Sequence, residues 1–511
     1  MPPVPPIVRN DWSTVRVPEL GGWRPTRTVS VVIPAYRCQA SLDLTLAALA
    51  RQTYPAHLLE AVVVDDGSQP PLELPEIRPD RTTLVRVAGG WGRANALGLG
   101  AERSDGEIIH WLDADMVTYQ SHVEAMARWQ HPLPYAVTLG YKRFVDAPWP
   151  TPDQVADACA AGRADRLFAG HPSGPHDYVE RHIARTRGLR DADHLAFLSH
   201  VGSTAAVTRE LYGAAGGLDR TLRLGEDTEL GYRLAQAGGV FVPEPAARSW
   251  HLGPSHMMRH QRALQRYNRP FLAARMPLPR WLRATGGAGG VPLVTVVVEV
   301  GAHPLERVRA AVDSVLSGHE RDLRVLLAGP WDSLDGQRVP VLTDPLLDLR
   351  LLAETYRCEP RVRLVEQAPG SAFPSPYLLR LPASCALAPE AVGRLLEYAD
   401  RERLGLVRCG PVTLWRTSAV SRARWVRRDG EPLADVVARV HGAGSVLPDR
   451  VGVVDLSGLT AAELADGVPA AVLSGGRWLP SSVEVAGIRS LARATWVVAR
   501  LTARRRRGGV C

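Results

Sequence analysis

Apolar residues in this chain gather in short β-branched runs that end at proline, glycine or carboxylates. Between them, leucine and alanine recur at helical spacing. Val29-Ser-Val-Val-Ile-Pro-Ala-Tyr36 is such a run and predicts a buried strand opening into a loop. Leu42, Leu46 and Leu49 then predict a helix over about 41–53. Ala61-Val-Val-Val-Asp65-Asp66-Gly67-Ser68 repeats the theme, and strand, helix, strand in this order predicts a right-handed parallel βαβ unit. Val85 to Gly92 predicts a further short strand and a glycine-rich bend, with a helix from Arg93 to Arg103. Ile108-Ile-His-Trp-Leu112 then runs into Asp113-Ala114-Asp115. On an extended chain the two aspartates share a face while Ala114 points away.

Composition narrows the class. At 511 residues the chain exceeds one ordinary core, so two domains or slightly more are expected. A hydrophobic content of 45% and a charged content of 22% are those of a soluble globular protein. The net charge of +8 favours phosphates or anionic lipid, but no basic stripe interleaved with aromatics marks a nucleic-acid binder. Lys142 is the only lysine, and this preference for arginine reads as the bias of a GC-rich genome. Six widely spaced cysteines (38, 159, 358, 385, 409 and 511) fit neither a zinc site nor a disulfide framework, and point to free thiols in a reducing cytoplasm. Residues 1–28, rich in proline, read as an arm anchored by Trp12 and Trp23, without the pattern of a signal peptide. The longest apolar runs, such as Val291 to Val298, fall short of the roughly 20 residues that span a bilayer.

Carboxylates at strand ends are hard oxygen ligands suited to Mg²⁺ or Mn²⁺ on phosphate oxygens. In open parallel sheets, ligands bind beyond those ends. Val31-Val-Ile-Pro-Ala-Tyr36, Val64-Asp-Asp-Gly-Ser68, Gly92-Arg-Ala-Asn95 and Leu112-Asp-Ala-Asp115 together resemble the ordered motifs of family 2 glycosyltransferases, over roughly residues 29–255. The resemblance implies an α/β chain with the GT-A fold, a Rossmann-like mixed sheet flanked by helices. It implies an inverting, metal-dependent transfer of a sugar from a nucleotide-diphosphate sugar to an acceptor hydroxyl. Pro34, Tyr36, Asp65, Asp66, Arg93, Asn95, Asp113 and Ala114 would then contact the donor, with Asp115 and His251 on Mn²⁺ or Mg²⁺. Gly216-Gly-Leu-Asp219 and Gly225-Glu-Asp-Thr-Glu-Leu230 look like the segment ahead of the catalytic acids. That assigns Asp227 as base and places Gly217, Glu226 and Trp250 on the acceptor side. Glu226 and Glu229 serve equally well as helix-capping acids.

An insertion from Asp146 to Asp193 carries His171, His176 and His182, with His194 just beyond. Their spacing fits no usual metal pattern, and a solvated helical insertion shaping the acceptor pocket is expected instead. After a glycine-rich linker at 281–290, the first half recurs. Val294-Thr-Val-Val-Val298 matches Val29 to Ile33, and Arg324 to Gly329 matches Ala61 to Asp66. Leu381 to Val392 lines up without gaps on Leu112 to Val123, replacing Asp113 and Asp115 by Pro382 and Ser384. This predicts a catalytic domain over 29–280 and a degenerate, non-catalytic GT-A-like domain over 291–480. The tail at 481–511 carries an apolar helical stripe ringed by arginines, a form suited to peripheral contact with anionic membrane at its inner face. Two rival functions remain, a nucleotidyltransferase and a non-catalytic nucleotide-sugar-binding scaffold. The first lacks its basic glycine-rich loop, since the chain has only Pro34-Ala-Tyr-Arg37 there, and the intact acids oppose the second.

Overall fold

The computed structural model describes residues 4–283, 290–334, 339–465 and 467–468. Most of the 281–290 linker and the whole 481–511 tail lie outside the described residues. The first nine strands are β1 (Val29–Ala35), β2 (Leu59–Asp65), β3 (Thr82–Arg86), β4 (Ile108–Leu112), β5 (Met116–Thr118), β6 (Ala136–Val145), β7 (Ser173–Pro175), β8 (Thr204–Thr208) and β9 (Val240–Leu252). They form one sheet in the order β3-β2-β1-β4-β8-β6-β9-β5, with β7 paired to β6. The half from β3 to β4 is parallel, and β8 runs antiparallel to both β4 and β6. The mixed sheet flanked by helices is the architecture the resemblance implies.

Parallel strands covered on both faces must be apolar along their whole length. Accordingly β4 is buried at every residue and β1 at all but Pro34. The helix Arg93–Arg103 lies so close to the sheet that a Cβ on Gly100 would come within 2.4 Å of Val32 Cγ1, which is why glycine stands there. The helix after β1 spans Gln39–Leu49, starting and ending before the range its leucines predict. Strand β9 pairs with β6 in parallel, but the register shifts between Gly140 and Tyr141. Gly140 faces Glu244 and Tyr141 faces Arg248, so residues 245–247 drop out of the ladder. That bulge carries His251 to a position between Phe144 on β6 and Met116 on β5.

A second sheet of seven strands follows, formed by β10 (Val294–Glu299), β11 (Leu323–Ala328), β12 (Val362–Val365), β13 (Tyr377–Arg380), β15 (Leu406–Cys409), β16 (Val412–Arg416) and β17 (Ala443–Ser445), while β14 (Cys385–Leu387) and β18 (Val453–Asp455) form a separate pair. Its order, β12-β11-β10-β13-β16-β15-β17, repeats that of the first sheet with the same strand senses. The counterpart of β9 is broken in two, β17 pairing with β15 and β18 with β14. Register corrects the sequence alignment of β11 by one residue. Val29 faces Leu59 as Val294 faces Leu323, so Gly329 and Pro330, not Ala328 and Gly329, stand where Asp65 and Asp66 do. Met116 faces His251 as Cys385 faces Asp455, so the histidine is replaced as well.

The two sheets share one apolar cluster running from Trp111 and Phe241 to Val296 and Leu379. Polar contacts tie them further. Tyr232 Oη donates to Pro374 O at 2.5 Å and Trp425 Nε1 to Ala237 O at 3.1 Å. The buried guanidinium of Arg422 reaches Gly239 O at 2.9 Å and Arg9 O at 2.8 Å, drawing the N-terminal arm into the junction. Trp12 and Trp23 pin that arm through their indole N–H groups, to Gly188 O and to Glu124 Oε1. Among the described residues, no helix is long and apolar enough to cross a membrane.

Candidate active site

The carboxyl ends of β1, β2 and β4 open into a cavity of about 610 Å³, closed on the far side by the Gly225–Thr228 turn and by residues of the insertion. Because β4 ends as it begins to turn, Asp113 and Asp115 both reach this space and Ala114 lies on its wall. Asp113, Asp115 and His251 bring one ligand atom each to within 4.8 Å of one another, the single such group of three among the described residues. His251 Nε2 stands 3.7 Å from Asp115 Oδ1, while its Nδ1 lies 3.0 Å from Gly253 O. A carbonyl at Nδ1 fixes the proton there and leaves the Nε2 lone pair free toward the carboxylates, as a metal-ligating histidine requires.

The electrostatics are those of a cation site. Burial pushes the Asp115 carboxyl up to about 7, and the neighbouring Asp113 adds to the rise. One buried Asp115 oxygen, Oδ1, has no hydrogen-bond partner. Burial also pushes His251 down to about 4, with Lys142 repelling its proton, so the imidazole is neutral and able to ligate. Two carboxylates, an orphaned oxygen and a free imidazole lone pair fit Mn²⁺ or Mg²⁺.

Asp113 differs from Asp115 because Arg93 binds it. Burial raises its carboxyl, but the Arg93 guanidinium, with Lys142 and His251 adding to it, holds it below the usual range. Arg93 Nη2 lies 2.7 Å from Asp113 Oδ1, and Arg93 Nη1 lies 2.5 Å from Glu226 Oε1. One arginine on the helix after β3 thus joins the carboxylate pair of β4 to the acids at the start of the Glu226–Gln236 helix. Glu226, its side chain only 4% exposed, is raised by burial despite this partner. Arg93→Met should leave both carboxylates unpaired and cost about 3 kcal/mol of folding free energy, read as a lowered urea midpoint with an unchanged slope.

Asp227 lies beside them. Its Oδ1 accepts the Thr228 N–H at 2.7 Å and its Oδ2 the Gly202 N–H at 3.3 Å, fixing the carboxylate at the cavity wall. Glu229, in contrast, forms an ion pair with Arg233 one turn along, at 2.6 Å, and does not line the cavity.

Of the residues expected at the donor, Pro34, Tyr36, Asp66, Arg93, Asp113 and Ala114 line the cavity. Asp66 Oδ2 accepts the Gly92 N–H at 2.7 Å and holds the glycine bend against the end of β2. Four other residues of the expected site do not line this cavity. Asp65 is buried and accepts the N–H groups of Ser68 and Leu72, so it organises the loop after β2 and does not face the cavity. Asn95 donates to Gly89 O at 3.0 Å and shapes the bend from within. Gly217 sits at a φ of +69° in a turn whose carbonyl accepts from Arg233, away from the cavity. Trp250 points to the opposite face of β9 from His251, donating to Ala164 O at 2.8 Å beside Phe168.

Among the lining residues absent from the site expected on sequence grounds are Lys142, Ser203, His176 and Tyr178. The last two come from the insertion, where the His176 ring packs edge-on against Phe144 and Tyr178.

With this geometry in view, residues 30–165 match the model of Glycosyl transferase family 2, so the resemblance carried by the sequence motifs holds for that part of the chain. Validoxylamine A glucosyltransferase of Streptomyces hygroscopicus subsp. limoneus is 28% identical over 243 residues, covering 46% of this chain and 53% of the relative. Probable N-acetylgalactosaminyltransferase 7 of Caenorhabditis elegans is 28% identical over 252 residues, covering 45% and 39%. The chain therefore spans about half, or less, of the length of these relatives. Among solved structures, mannosyltransferase PcManGT of Pyrobaculum calidifontis, in complex with GDP-Man and Mn²⁺, aligns at 18% identity and a TM-score of 0.34, over 54% of this chain and 70% of that one.

Proposed function

We propose that this chain, with a first domain matching the family 2 glycosyltransferases, is an inverting, metal-dependent transferase. It would move a sugar from a nucleotide-diphosphate sugar to an acceptor hydroxyl. The observation that carries this is the meeting, in one cavity, of the Asp113–Asp115–His251 group with the Asp227 carboxylate.

Asp113, Asp115 and His251 would hold Mn²⁺ or Mg²⁺. When bound, the ion supplies positive charge against the diphosphate as it leaves. Tyr36 and Asp66 line the part of the cavity under β1 and β2, the end where the nucleotide would lie. Asp227 would take the proton of the acceptor hydroxyl as its oxygen bonds to the anomeric carbon. The carbon–oxygen bond to the diphosphate breaks, its electron pair leaving with the nucleoside diphosphate. A single displacement inverts the centre without a covalent nucleophile. His176 and Tyr178 stand on the wall where an acceptor would approach, and polysaccharide, lipid-linked and small-molecule hydroxyls all suit the chemistry.

Calorimetry with UDP-, GDP- and dTDP-sugars, with and without Mn²⁺, followed by a transfer assay, tests this reading. Metal-dependent binding of one donor class and release of its nucleoside diphosphate is the expected result; no binding across the panel overturns it. The second sheet, with Pro382, Ser384 and Asp455 at the metal positions, would have no chemistry of its own. Ser384→Ala and Cys385→Ala should each leave the transfer rate unchanged within assay error.

A further inference from the structure

We infer that Lys142 is a donor-positioning residue whose ammonium receives the diphosphate of the bound nucleotide sugar; the inference rests on the transferase reading. All the other basic residues among the 61 lysines and arginines are arginine. The one lysine stands on β6, two residues before Phe144, so both side chains share a face, and both line the cavity. Lys142 is only 6% exposed. Its Nζ stands 5.6 Å from the centre of the Phe144 ring.

A buried ammonium normally has a carboxylate in contact, because leaving it unpaired costs several kcal/mol. Lys142 lacks one. Its hydrogen bond among the described residues is to the Ser203 hydroxyl, and no carboxylate oxygen among them lies within ion-pair distance. An ammonium has three donors, so two remain without a protein partner. None of the acids around it forms an ion pair with it among the described residues. Asp113 pairs with Arg93, and Asp227 accepts from Thr228 and Gly202. Asp115 is grouped with His251 in the cation site. Burial pushes the Lys142 pKa down to about 8, while Asp113, Asp115 and Asp227 pull the other way, so the group is charged at neutral pH.

Charge balance names the class of the missing partner. Asp66, Asp113, Asp115, Glu226 and Asp227 bring five carboxyl groups to the cavity and its rim, against the three basic groups of Arg93, Lys142 and Arg259. A divalent cation would neutralise that excess. The diphosphate of a donor would then arrive as the uncompensated anion; Arg259 lines the cavity from an exposed position, and the free donors of Lys142 are the buried cationic ones left to meet it. Lysine suits this place better than arginine. It is a compact charge with rotatable donors able to follow phosphate oxygens, where a planar guanidinium would pair with the neighbouring carboxylates.

The test compares wild type, Lys142→Met and Lys142→Arg by calorimetry in Mn²⁺. The probes are the nucleoside diphosphate and the nucleoside monophosphate of the donor that the panel identifies. Lys142→Met should weaken diphosphate binding about 10- to 100-fold, the worth of hydrogen bonds to a charged group. Monophosphate affinity should fall less than about threefold, and Lys142→Arg should behave like the Met variant. Mn²⁺ binding without nucleotide, followed by Mn²⁺ paramagnetic resonance, should be as tight as wild type or tighter, because a competing cation is gone. The Met variant replaces a buried charge by an apolar chain of similar length and should fold; a melting curve verifies it. Equal losses for both nucleotides, or an unchanged preference for the diphosphate, overturn the assignment while leaving the transferase reading in place. Absence of nucleotide binding by the wild type overturns both.

Discussion

Asp115→Ala should abolish metal-stimulated transfer, lowering kcat/KM by about 10³-fold or more while the domain stays folded. The size follows from its place. Asp115 is the member of the group with an unpartnered oxygen, whereas Asp113 is already engaged by Arg93. Losing a ligand that directly holds a catalytic cation removes several kcal/mol of charge stabilisation at the leaving group, which is three orders of magnitude in rate. Isothermal titration with Mn²⁺ should show the metal site weakened in parallel. Stability moves the other way. The folded-state pKa of Asp115 is raised to about 7 from 3.8, so its favourable contribution is complete below pH 3.8 and is lost as pH rises through 7. Without metal, the wild type should therefore melt lower at pH 8 than at pH 5 through this group, and Asp115→Asn should flatten that dependence. Added Mn²⁺ should raise the wild-type melting temperature at pH 8 and leave the variant unmoved. If Asp115→Ala keeps Mn²⁺ affinity and turnover, the metal assignment is wrong.

The reach of the sequence into this site follows the range of each interaction. Asp113 and Asp115 could be read because the signal is local: strand alternation would set both acids of an apolar run ending in Asp-Ala-Asp on one side. Both do reach the cavity, although β4 ends at Leu112 and the turn after it brings Ala114 to the same wall. The same rule bears on Trp250 and His251, which as strand neighbours must face opposite ways, so alternation alone argues against an acceptor role for Trp250. His251 could be ordered but not placed, since the bulge that drops residues 245–247 from the ladder depends on how β9 meets β6 and β5. Arg93 shows the limit most clearly. Its residue type implies phosphate, yet it bridges Asp113 and Glu226, 20 and 133 positions away in sequence. Lys142 carried a compositional signal, one lysine against a background of arginine, but on its own strand it reads as an ordinary polar position. Its burial is set by the turn into β8, which brings Ser203, and by the insertion, which brings His176 and Tyr178. The second sheet was readable as a repeat because its apolar framework persists. Only strand register could show that the alignment at β11 was one residue out.

Asp227→Asn should leave donor binding within about threefold and reduce kcat by about 10²–10⁴-fold, the range for removing a general base. The variant separates chemistry from structure because the Asp227 carboxylate accepts in each of its three hydrogen bonds. Thr228 N–H and the Thr228 hydroxyl donate to Oδ1, and Gly202 N–H donates to Oδ2. Asparagine retains one acceptor oxygen at the same reach, so the helix start survives with the loss of a single hydrogen bond, worth about 1 kcal/mol. Basicity disappears entirely, since an amide takes no proton at neutral pH. The donor side should be indifferent to the change, because Asp227 lies outside the Asp113–Asp115–His251 group. Glu226→Gln gives the contrasting case. Its carboxylate is committed to Arg93 and buried, so its loss should disturb the Arg93–Asp113 pair and with it donor affinity. KM for donor should therefore rise in Glu226→Gln while remaining steady in Asp227→Asn. An Asp227→Asn enzyme that retains most of its kcat would remove this residue from the role of base and leave Glu226 as the remaining acid of the turn to examine.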